Sequence, residues 1–180
     1  FSLTGQPNAM GGREVGGLAN LLSAHRNLNN PVEREEVARF WGLENVPEKP
    51  GLTAVPMFKA LKAKEVKAIW IVCTNPAQSM PDQQEIHEAL QNAEFVVVQE
   101  AFKNTSTCQY ADILLPATTW AEKIGTVTNS ERRISLVRPA IPPRGEAKHD
   151  WQIALEVGRQ LENLPVSYTH LRAHETDSYL

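Results

Sequence analysis

Three short apolar runs, Val66–Cys73, Phe95–Val98 and Ile113–Leu115, restrict the possible folds of this chain more than any other feature. Each run has strand length. Each also halts on polar or helix-breaking residues: Thr74, Asn75 and Pro76 after the first, Gln99 and Glu100 after the second, Pro116 after the third. Near-continuous apolar runs of this kind suit strands buried in a parallel sheet. The intervening segments read as helical: Asp82 is placed to cap an amphipathic helix carrying Ile86, Leu90 and Ala93, and Thr107–Ala111 forms a shorter piece. Strand, helix, strand, helix, strand at this spacing predicts an α/β fold, a Rossmann-like parallel sheet with flanking helices. Such a sheet gathers its polar strand ends along one edge, where open α/β folds bind ligands.

Upstream, the first fifty residues are rich in Gly, Asn and Pro, with helices expected at Glu14–Leu22 and Pro31–Trp41. Asn30 as cap and Pro31 in the first helical position suit the second of these. Gly51 then opens an amphipathic stretch with Val55, Phe58, Leu61 and Val66 directed inward. Downstream, Trp120–Arg133 (WAEKIGTVTNSERR) sets Glu122, Lys123, Asn129, Glu131, Arg132 and Arg133 around a turn at Gly125. Val127–Val137 predicts a hairpin, and Asp150–Leu161 a final amphipathic helix with Trp151, Ile153 or Ala154, Val157 and Leu161 inward. Trp70, Trp120 and Trp151 read as core and interdomain packing. Cys73 reads as a small buried hydrophobe and Cys108 as the partly exposed cysteine.

The polar strand ends supply the candidate site residues, each with a plainer alternative. Asn75 can donate and accept at once from the end of the first strand, or simply form an Asn-Pro turn. Gln99 and Glu100 can hold ribose hydroxyls or the amino edge of a guanine, or merely solvate the end of the second strand. Lys123 offers a point charge to a pyrophosphate, or pairs at the surface with Glu122 or Glu131. Asp150 can accept from guanine or ribose donors while also capping the final helix. Arg132 and Arg133 have the geometry of phosphate clamps, but the nearby Glu122 and Glu131 favour structural ion pairs for them.

The segments WIVCTNP (70–76), FVVVQE (95–100), WAEKIGTVTNSERR (120–133) and GEAKHD (145–150) closely resemble those of the bis-molybdopterin-guanine-dinucleotide oxidoreductases. The likeness runs from Phe1 to about Glu162 and is nearest to the assimilatory nitrate reductase branch of that family. It implies an internal portion of a larger molybdopterin oxidoreductase, one that reduces nitrate to nitrite by oxygen-atom transfer with electrons from a donor. The molybdenum would be carried by bis-molybdopterin guanine dinucleotide, and an iron-sulfur cluster and the metal ligand would lie in the remaining segments of the same polypeptide. Asn75, Gln99, Glu100, Lys123 and Asp150 match family positions that contact the dinucleotide. Ile124 departs from the pattern, standing where the family commonly has Glu. No catalytic residue and no metal ligand is named within this segment. A sibling molybdopterin enzyme such as a formate dehydrogenase, and a noncatalytic nucleotide-binding or electron-transfer subunit of the same fold, are the alternative readings.

Composition narrows the partners. A formal charge of −3 and a pI near 6.0 give no electrostatic footprint for nucleic acid or an anionic membrane. No apolar run approaches the roughly 20 residues that span a bilayer. With only Cys73 and Cys108, the chain has neither a disulfide framework nor a zinc or iron-sulfur set, and the cytoplasm is the expected compartment. The expected organisation is residues 1–50 as an irregular, partly helical segment, 51–164 as the α/β dinucleotide-binding portion, and 165–180 as a non-native tail. That tail (PVSYTHLRAHETDSYL) breaks the amphipathic spacing and resembles the translation of a sequencing adapter. His170 and His174 have no third ligand arranged with them.

Overall fold

The computed structural model describes residues 8–18 and 21–162. The tail and its two histidines therefore lie outside the described residues. Contacts divide the chain into two compact units, one from the described parts of 1–50, 124–139 and 154–180, the other from 51–123 and 140–153. Residues 124–139 and the described part of 154–180 group with the N-terminal segment in this division.

The second unit is the α/β unit. Strands β1 (Ala68–Val72), β2 (Phe95–Glu100) and β3 (Ile113–Pro116) form a parallel sheet in the order β1-β2-β3. The register pairs Val72 with Gln99 and Glu100 with Pro116, so the strands end side by side. Helix α3 (Ala54–Lys62) precedes β1, while α4 (Pro76–Ser79) and α5 (Gln83–Asn92) connect β1 to β2. The α5 start is fixed by the Asp82 side chain, which accepts from the Glu85 N–H at 3.3 Å. Alternation drives the packing: Ile69 and Ile71 of β1 and Val96 and Val98 of β2 meet Phe58 and Leu61 of α3 and Ile86, Ala89 and Leu90 of α5 in one buried cluster.

The opposite face of the sheet carries Trp70, Val72 and Phe95, each about 40% exposed. Trp70 is therefore not a core residue among the described parts of the chain, and Trp120 and Trp151 are more exposed still. Val55, expected inward, is also exposed. The segment Thr107–Tyr110 is a 3-10 turn, and the chain returns at Lys148, which bridges Ala117 in parallel beyond the end of β3.

In the first unit, the early helix is α1 (Ala9–Glu14) and not Glu14–Leu22. Gly16, at φ 76°, takes the left-handed conformation that a helix cannot continue through, and this ends the element where the sequence suggested it began. Helix α2 (Pro31–Trp41) forms as expected, with the Asn30 side chain accepting from the Val32 N–H at 3.1 Å. The hairpin is β4 (Gly125–Thr128) against β5 (Ile134–Val137). Gly125 thus opens a strand, and the turn lies at 129–133, where Asn129 Oδ1 accepts from the Glu131 and Arg133 N–H groups at 3.0 Å each. The final helix, α6 (Asp150–Glu162), begins in the second unit, where it buries Ile153 but leaves Trp151 exposed. Among the described residues, no helix is long and apolar enough to cross a membrane.

Leu61 is fully buried at the centre of the α/β core. Leu61→Ala is expected to cost about 2–5 kcal/mol, the usual range for a leucine removed from a packed site, which chemical denaturation will measure. The exposed Val55→Ala is expected to stay within about 0.5 kcal/mol.

Candidate functional site

The sheet brings its polar ends together at one carboxylate. Asp150 Oδ1 accepts from Gln99 Nε2 at 2.9 Å and from the Cys73 thiol at 3.3 Å, while Oδ2 accepts from Lys123 Nζ at 2.5 Å. Four residues spread over 78 positions therefore meet at one point, a consequence of parallel register and of the return segment beside β3. Gln99 is buried at 2% exposure within β2, and Lys123 and Asp150 are half-buried. A buried amide needs partners, and Asp150 supplies one.

The structure corrects the expectations for Asp150 and for the two cysteines. Asp150 does not cap α6; the preceding residue, His149, occupies that place, its carbonyl accepting from Ile153 N–H and its own N–H donating to Gln152. The Asp150 carboxylate turns instead onto the strand ends, beside the positive end of the helix, where a negative charge is favoured. Cys73 is exposed and Cys108 is buried, the reverse of the expectation. At φ 54°, Cys73 leaves β1 in the left-handed region, uncommon for a residue with a side chain, while its N–H still donates to the Gln99 carbonyl at 3.1 Å. That turn swings the sulfur out of the apolar face and onto Asp150.

The ion pairs also differ from those expected. Glu122 is buried and forms a capping box with Thr119, accepting from both its N–H and its hydroxyl. Arg132 pairs with Glu14 at 2.7 Å within the first unit. Lys123 pairs with Asp150, so the surface pairings with Glu122 and Glu131 do not form.

Asn75 and Glu100 sit at the same edge but are engaged locally. Asn75 Oδ1 accepts from the Thr107 N–H at 3.0 Å and its hydroxyl at 2.6 Å, and one of its two Nδ2 hydrogens donates to Gln78. Glu100 Oε1 accepts from the Ala101 N–H at 2.7 Å. The fully buried Thr107, which ties Asn75 down, and the Thr118–His149 pair at 3.1 Å were not singled out from sequence, where isolated threonines carry no signal. An open apolar depression lined by Val15, Leu18, Leu21, Leu22 and Trp41 belongs to the first unit and contains none of the strand-end residues. Among the described residues, no three His, Cys, Asp or Glu side chains converge to hold a metal ion.

Electrostatics follow from the contacts. Burial raises the Asp150 pKa, but the bonds from Lys123, Gln99 and Cys73 together outweigh it and hold the carboxyl below its ordinary range. Desolvation first, then the hydrogen bond and charge of Asp150, push the Cys73 thiol up to about 11. The site thus presents an anionic acceptor, a cationic donor and an amide at the end of a parallel sheet, a donor set suited to a nucleotide.

Comparison with known proteins decides the lineage. The molybdopterin oxidoreductase family model matches residues 3–160. This chain belongs to the molybdopterin oxidoreductase family. It is 52% identical over 161 residues to a nitrate reductase of Klebsiella oxytoca and 50% identical over 163 residues to one of Synechocystis, covering 89% of this chain and 18% and 23% of those proteins. Matches at 36–37% identity include the assimilatory nitrate reductase catalytic subunit of Bacillus subtilis and the F420-dependent formate dehydrogenase subunit alpha of Methanocaldococcus jannaschii. Among solved structures, acetylene hydratase from Pelobacter acetylenicus superposes with a TM-score of 0.55 at 25% identity, covering 74% of this chain and 19% of that one. The chain spans 16–23% of the length of the curated relatives named by these matches.

The folded state of this molybdopterin oxidoreductase segment holds the Cys73 proton more tightly than the unfolded chain, whose thiol ionises near 9.0. The resulting stabilisation is complete below pH 9 and is lost as pH rises toward 11. In a Cys108→Ser background, Cys73 is expected to alkylate slowly at pH 8.5 despite its exposure, and Asp150→Asn to speed the reaction several-fold. Labelling followed by mass spectrometry checks both.

Proposed function

We propose that this chain is the guanine-dinucleotide anchor of a molybdenum-dependent nitrate reductase. The observation that carries the reading is the convergence of Gln99, Lys123 and Asp150 on one point at the carboxyl ends of a parallel sheet, in a chain of this family. The chemistry of the donor set fits the group. Asp150 would accept from the N1 and N2 hydrogens of guanine, Lys123 would offer its charge to the pyrophosphate, and Glu100 would accept from ribose hydroxyls. Gln99 would hold Asp150 in place, and the remaining Asn75 amide hydrogen would donate to the dinucleotide.

In the parent, oxygen-atom transfer from nitrate is the chemistry that the bound molybdenum cofactor supplies. The part played by these residues is to bind and orient one arm of that cofactor and to keep its charge matched. The bis-guanine-dinucleotide form, an iron-sulfur cluster in the remaining polypeptide and an electron donor complete the reading. Nitrate is favoured as substrate because the relatives of highest identity are named nitrate reductases. A formate dehydrogenase is the second reading, favoured by the 37% identical subunit alpha. A noncatalytic subunit of the same fold remains the reading from another class, and loss of the parent's metal-ligand positions would favour it. The assimilatory relative favours the cytoplasm, whereas a relative named periplasmic nitrate reductase marks the other compartment.

In the full-length enzyme, Lys123→Ala is expected to lower molybdenum and pterin content after purification, since one charge-assisted phosphate contact is worth about 1.5–3 kcal/mol. Lys123→Arg is expected to retain more of it. Undiminished content in Lys123→Ala would leave the Lys123–Asp150 pair a purely structural contact.

A further inference from the structure

We infer that the Cys73 thiol is a place-holder on Asp150, a positioning residue that gives up its bond when guanine pairs with the carboxylate and so holds down the preference for guanine over a base with one donor. The inference rests on the guanine-dinucleotide reading and deepens it.

A carboxylate has about four lone-pair positions, two on each oxygen. Oδ1 of Asp150 already accepts two donors, Gln99 Nε2 at 2.9 Å and Cys73 Sγ at 3.3 Å, whereas Oδ2 accepts only Lys123 Nζ at 2.5 Å. Guanine presents two parallel donors, N1–H and N2–H, and pairs with a carboxylate through both oxygens at once. Oδ2 has a position to spare. Oδ1 has none, so one of its two donors must leave.

Gln99 is held in place, because it is 2% exposed inside β2, where its amide has lost access to water. Cys73 is exposed, and its S–H is a weak donor. Its backbone at φ 54° follows the last residue of β1, so the side chain can rotate away without breaking the N–H bond to the Gln99 carbonyl. The thiol is thus the donor that yields. While the base is absent it keeps Oδ1 satisfied and the carboxylate aligned; when the base arrives, the exchange costs one weak bond.

A base with a single donor at this edge requires no such exchange. Hypoxanthine offers N1–H but no N2–H, and the spare position on Oδ2 serves it directly. Cys73 therefore weighs more against guanine than against hypoxanthine, a difference between the two bases that a general structural role would not produce.

The test is isothermal titration calorimetry of the 180-residue chain with GDP and with IDP, using the wild type, Cys73→Ala and Cys73→Ser. Cys73→Ala removes the competing donor and is expected to raise the GDP/IDP affinity ratio about three- to tenfold. Cys73→Ser supplies a stronger donor and is expected to lower the ratio by a similar factor. Equal ratios in all three proteins, or parallel changes for both nucleotides, would overturn the exchange while leaving the dinucleotide reading standing. If the wild type binds neither nucleotide, both fall.

Discussion

The α/β unit depends at its functional edge on one carboxylate receiving three donors. Asp150 draws Gln99 from the centre of the sheet, Cys73 from its edge strand and Lys123 from the segment after β3. No two of these residues come from the same element, so the bonds to Asp150 fix the return segment against the strand ends. The lone-pair positions that hold the edge together are also the positions a ligand would use. As pH falls through the lowered Asp150 pKa, the stability that these bonds contribute is lost.

Around that point the construction follows simple rules. Parallel register brings Val72 level with Gln99 and Glu100 level with Pro116, so the strands end on one line, with Gln99 and Glu100 of β2 at its centre and Cys73 just past the end of β1. Below the line, Ile69, Ile71, Val96 and Val98 bury against α3 and α5, which gives the strand ends a rigid base. Beside it, Asn75 is tied to Thr107 and Glu100 to the Ala101 backbone, so the edge is held by local bonds as well as by the shared carboxylate.

The three strands and their parallel arrangement were legible because apolar runs with polar ends have few other uses. The α2 and α5 starts were legible because Asn30 and Asp82 act through their own side chains on the next turn. Facing and exposure were less legible. Trp70 alternates with Ile69 and Ile71 and so lies on the sheet face that the described residues leave uncovered, a property of tertiary packing and not of local pattern. Cys73 could not be placed from its neighbours, since its role depends on a left-handed backbone turn and on a partner 77 residues away. Asp150 was read as a helix cap because local spacing favours that role, yet a buried amide and an ammonium group compete for the carboxylate more strongly than the helix end does.

The most direct test of Asp150 as the shared acceptor is a carboxyl-detected NMR titration of the chain, with and without GDP. Asp150 is expected to titrate below the ordinary aspartate range without nucleotide, and its carboxyl signal to shift on addition of GDP while other aspartate signals stay in place. An Asp150 that titrates in or above the ordinary range and is indifferent to GDP would contradict the account.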